Sequence, residues 1–76
     1  MKKPDAVLSV HLIECARSLA KERGWTWHDP VDITAAVHSG EPVWVLRTNV
    51  LMRGQNIRVI LRQSDHTVLH AGYLPR

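Results

Sequence analysis

The sequence predicts an α+β domain, one N-terminal helix packed on a four-stranded antiparallel meander sheet in the order α-β-β-β-β. Three observations predict it. Apolar side chains recur at three- and four-residue spacing over residues 5–23. After Pro30 the chain alternates apolar and polar residues with period two. The alternating segments are joined by turns far shorter than the dozen or so residues that a parallel crossover needs, so neighbours must be antiparallel. The chain has 76 residues, enough for one hydrophobic core but not two.

The helix begins at Pro4-Asp5, where the Asp5 carboxylate can cap free amides and favour the positive end of the helix dipole. Leu8, Leu12, Cys15, Ala16 and Leu19 fall on one face, and Val10, Ile13 and Ala20 widen it. Ser9, Glu14, Arg17, Ser18, Lys21 and Glu22 fall mostly on the other side. Lys21 and Arg23 suit the last turn, and Gly24 is the residue past the C-cap. The connector Trp25-Thr26-Trp27-His28-Asp29-Pro30 has no period. Its two tryptophans either plug the open end between helix and sheet or stand exposed for ligand stacking, the plug being the reading preferred.

Strands follow over residues 31–38, 43–52, 57–63 and 68–73. The turns between them are Ser39-Gly40-Glu41-Pro42, Arg53-Gly54-Gln55-Asn56 and Ser64-Asp65-His66-Thr67. In the third strand Ile57, Val59 and Leu61 share a face, as do Trp44, Leu46, Thr48 and Val50 in the second, and these sets should meet the helix. The opposite face then carries Arg47, Arg58 and Arg62 among Val43, Val45 and Ile60. Guanidinium mixed with apolar surface is what protein interfaces use. The plainer reading is an ordinary open sheet face on a domain too small to hide everything. Self-association through this face or an edge strand would also stabilise so small a fold, whose single core supplies roughly 3–5 kcal/mol.

Composition narrows the chemistry. Apolar residues make up 45% and charged residues 22%, which excludes the low-hydrophobicity, high-charge regime of disorder. Cys15 is the only cysteine, so no internal disulfide forms, and a lone thiol is most simply placed in a reducing, cytoplasmic setting. No apolar run is long enough for a membrane span, and Asp5, His11 and Glu14 interrupt the N-terminal stretch where a signal peptide would be apolar. The net charge of +3 permits contact with nucleic acid or an acidic protein without requiring either.

Five histidines, His11, His28, His38, His66 and His70, lack the spacing of a structural metal site, although His11 and Cys15 stand four apart on the helix. Cys15 lies on the apolar stripe, as a buried thiol does, rather than in an activating environment. The acidic residues sit at strand ends and turns, and the four glycines are isolated, so no phosphate loop exists. No catalytic residue, cofactor or metal is expected, and a metal-dependent enzyme ranks last. A nucleic-acid role has the basic face in its favour. It lacks the aromatic pattern of RNA-binding sheets, with no Phe and one Tyr in the chain.

From Gly40 onward the chain reads Gly-Glu-Pro-Val-Trp-Val-Leu-Arg-Thr-Asn, then Arg-Gly-Gln-Asn-Ile-Arg-Val-Ile-Leu, then Thr-Val-Leu-His-Ala-Gly-Tyr-Leu-Pro-Arg. Over roughly residues 40–75 this resembles the C-terminal strands of PepSY-like and small NTF2-like (cystatin-like) immunity domains, with the helix agreeing in type and order. It departs from them at residues 62–67, where such sequences often carry an Asp and a Thr-Gly turn. The resemblance implies no catalytic residues. It implies a module that binds or inhibits a protein, including an immunity protein for a toxin. The functional expectation is therefore a non-enzymatic protein-binding module acting through Arg47, Arg58, Ile60, Arg62, Val43 and Val45, with a small nucleic-acid-binding domain as the alternative.

Overall fold

A computed structural model describes residues 4–74. Helix α1 runs Ala6–Arg23 and is followed by β1 (Val31–His38), β2 (Glu41–Thr48), β3 (Asn56–Arg62) and β4 (Val68–Leu74). The strands form one antiparallel sheet in the order β1-β2-β3-β4, the predicted meander.

Both helix ends are built as the sequence indicates. Asp5 is extended and its Oδ1 accepts from the Leu8 amide at 2.8 Å. Gly24 turns left-handed at φ 71°, and the Trp25 amide donates back to the Ala20 carbonyl at 2.9 Å, which satisfies carbonyls the helix would otherwise leave open. Leu12, Ala16 and Ala20 are fully buried against Ile33, Trp44, Leu46, Ile57, Val59 and Leu61, with Leu8, Ile13, Cys15 and Leu19 packed around them. Val10 is not part of this stripe. It is 57% exposed, because the contact face is narrower than the sequence pattern suggests. Val37 is likewise exposed, at the far corner of edge strand β1.

Trp25 and Trp27 both pack on the core, as the plug reading requires. Trp25 stacks on Tyr73 with ring centroids 5.6 Å apart, and the Arg23 and Arg17 guanidiniums lie over Trp25 and Trp27 respectively.

β3 and the end of β4 lie within one residue of expectation, but both ends of β2 differ by more. Glu41 and Pro42, expected in a turn, belong to β2, because Ser39 and Gly40 alone make the hairpin with φ of 52° and 81°. Two successive positive-φ residues match the right-handed twist of the strands, and no longer turn is needed. At its other end β2 stops at Thr48, and residues 50–52 are not strand. Asn49 turns left-handed at φ 54°, which ends the pairing. Its side chain donates to the Gly54 carbonyl at 3.0 Å, closing residues 49–55 into a loop. Asn56 reinforces that loop, its Nδ2 donating to the carbonyls of Thr48, Asn49 and Met52 at 3.1, 2.9 and 3.2 Å. Thr48, wholly buried, accepts on its hydroxyl from the Ile57 amide at 2.9 Å.

Candidate functional site on the open sheet face

The strand register arranges the face away from the helix in rows. One row runs Asp32, Arg47, Arg58, Gly72; the next runs Thr34, Val45, Ile60, His70; a third runs Ala36, Val43, Arg62. The six residues singled out in the sequence therefore share this face. They do not share accessibility.

Val43, Val45 and Ile60, expected as exposed apolar contact surface, are 0, 5 and 4% exposed and form a second small cluster with Leu69. A register shift between Ile60 and Leu61 accompanies the placing of Leu69 against this cluster. β-branched side chains on the two central strands fill one another's cross-strand space, and Leu69 packs against them. These three residues hold the sheet and offer nothing to a partner.

Arg62 is also committed internally. Its Nε donates to Glu41 and its Nη1 to Asp65, each at 3.1 Å. The Glu41 bond, then the Asp65 bond, hold the guanidinium even more firmly protonated than usual. Asp65 lies below its ordinary carboxylate range chiefly because it accepts from the Thr67 backbone amide, at 3.0 Å, with the Arg62 charge adding to the effect. This is the working of the β3–β4 turn, where an Asx-type bond fixes the backbone and Arg62 ties the turn to β2.

Arg47 and Arg58 differ. They are exposed and directly opposite one another across β2 and β3. Among the described residues neither has an ion pair or a side-chain hydrogen bond. Asp32 stands across from Arg47 on β1 but does not reach it, and it lines a separate recess beside Ser9 and Ile13. Like charges directly opposite in a sheet are destabilising. The two guanidiniums border a recess of about 450 Å³ that continues over His70 and Gly72 to Val50 and Leu74. A second recess of about 540 Å³ adjoins it, sharing Asn56 and Leu74 and adding Met52 and Arg53.

The loop that the sequence pattern read as strand supplies the apolar rim. Val50 and Met52 of that loop, with Leu74 of β4, line the two recesses and are 41, 66 and 59% exposed; Leu51 beside them is 79% exposed. Sequence reasoning missed these residues as well as His70 and Gly72. The available signal was Asn49 directly after Thr48, since Asn tolerates the left-handed region where a strand must end.

Other candidates do not gather into a site. Cys15 is half-buried with its Sγ 3.9 Å from His11 Nε2, and the His11 ring lies 5.1 Å from that of His66. Among the described residues no group of three or more His, Cys, Asp or Glu side chains is placed to hold a metal ion. Among the described residues no helix is long and apolar enough to cross a membrane.

Comparison with known proteins returns no matching family model, no matching curated protein and no matching solved structure.

Proposed function

We propose that this chain is a non-enzymatic protein-binding module whose contact surface is the loop end of the open sheet face, around Arg47 and Arg58. The observation that carries this reading is the pairing of two uncompensated guanidiniums with exposed Val50, Met52 and Leu74 along the two adjoining recesses. Arginine and methionine beside aliphatic surface are the composition of interface cores, and apolar side chains so exposed need a reason on a small domain. Protein capture in a reducing, cytoplasmic setting, in the manner of an inhibitor or immunity protein, is the form of the reading that the strand resemblance favours.

The nucleic-acid alternative draws less support. The third arginine of the face is neutralised by Glu41 and Asp65, and Trp25 is stacked on Tyr73 rather than free for bases.

The test is capture by the tagged protein from cells after cross-linking, alongside sedimentation for self-association, comparing the wild type with Arg47→Glu/Arg58→Glu. Replacing one like-charged pair by another leaves the fold term similar, which circular dichroism verifies. A complex lost only in the variant is the expected result. A complex that persists unchanged, or a wild-type chain that captures nothing and stays monomeric, overturns the proposal.

A further inference from the structure

The recess between β2, β3 and β4 has two chemically distinct halves. One half is cationic, with Arg47 and Arg58 directly opposite and exposed. The contrast with Arg62 is informative, because the same sheet face supplies that arginine with two carboxylates. Cross-strand partners stand about 5 Å apart at their Cβ atoms, so one carboxylate can accept from both guanidiniums and remove their mutual repulsion. The other half is apolar, walled by Val50 and Leu74.

Gly72 sits on the floor between the halves, opposite Arg58 and in the middle of β4. Neither backbone nor packing demands glycine there. Its φ is not in the left-handed region that Gly24, Gly40 and Gly54 occupy, and a Cβ would meet only His70 Nε2, at 3.4 Å. Glycine inside a strand weakens it and often marks a bulge, a bend or a place where another group approaches closely; the register shift of this ladder lies at Ile60/Leu61 and not at the Arg58–Gly72 pair, which leaves close approach. Here the missing side chain deepens the recess beside Arg58.

The geometry points to one occupant, an acidic segment of a protein partner that sets a Glu or Asp carboxylate between Arg47 and Arg58 and a neighbouring apolar side chain against Val50 and Leu74. This inference rests on the protein-binding reading above and supplies its chemistry. A nucleic-acid phosphate would satisfy the arginines but leave the apolar wall unused. Nucleic acid also needs a track of cations along the face, and Glu41 and Asp65 interrupt it at Arg62.

The probe is the peptide acetyl-Leu-Glu-Leu-amide, titrated into the ¹⁵N-labelled full chain and followed by NMR, with acetyl-Leu-Gln-Leu-amide as its neutral isostere. The expected result is shifts confined to Arg47, Val50, Arg58, His70, Gly72 and Leu74, with the Gln peptide weaker by at least about tenfold. Gly72→Val provides a second variant that should fold, since β-branched residues suit a strand and the one atom a Cβ would meet, His70 Nε2 at 3.4 Å, is the end of a side chain that can turn aside. It should retain the wild-type spectrum elsewhere and lose peptide binding. Equal binding of the Gln peptide, shifts mapped to the helix, or a response to inorganic phosphate or a short oligothymidylate but not to the Glu peptide would each overturn the inference. So would a silent titration. If the peptide fails while charge reversal still abolishes capture, the acidic-segment reading falls and the protein-binding module stands; if both fail, the module falls too.

Discussion

Asp65 shows how much of this surface is already in use. Its carboxylate accepts from the Thr67 amide and from Arg62, and both bonds favour the ionised form. Its folded value lies below the ordinary 3.8, so its stabilising contribution is complete above that value and is lost as pH falls through the lower, folded one. Denaturation followed from about pH 6 to about pH 2.5 should therefore show an acid loss that is smaller in Asp65→Asn, which keeps the turn's acceptor but not its charge. Identical acid slopes in the two proteins would contradict the assignment. The residue scale is also where sequence reading reached least far. Arg47, Arg58 and Arg62 look equivalent in the alternating pattern, and only the position of Glu41 and Asp65 around Arg62 separates them. The burial of Val43, Val45 and Ile60 was equally hidden, because a period of two assigns a side chain to a face without saying how well that face is covered.

At the scale of elements, most of the fold was legible. Asp5 and Gly24 bound the helix as their chemistry predicts, and the sets Ile57, Val59, Leu61 and Trp44, Leu46, Thr48 turn toward it, whereas Val50, expected with the second set, lies beyond the strand and is exposed. The exception is the β2–β3 connection. The run Val50-Leu51-Met52 continues the apolar character of β2, and composition alone extends the strand through it. Asn49 and Asn56 decide otherwise by hydrogen-bonding loop carbonyls that a continued ladder would have paired. Because that loop forms the apolar rim of the recess, Asn56 is a positioning residue for the site. Asn56→Ala should cost about 1–3 kcal/mol, the penalty for stranding partly buried acceptors, and should speed amide exchange across residues 49–55. Unchanged stability and exchange would show that the loop holds its shape without Asn56.

On the scale of the whole molecule, the helix covers one face of the sheet and leaves the other, where the two arginines and the loop rim converge at one end. The opposite end of that face is closed by the Glu41–Arg62–Asp65 link, so the molecule presents one polarised surface rather than a uniform basic sheet. The direct measurement is photo-cross-linking in cells from a photoreactive residue placed at Leu51, in the loop beside the recess, compared with one at Val7 on the helix, which is as exposed (79 and 82%). Protein adducts from position 51 and none from position 7 are the predicted result. Adducts from position 7 alone, or adducts to nucleic acid in place of protein, would contradict it.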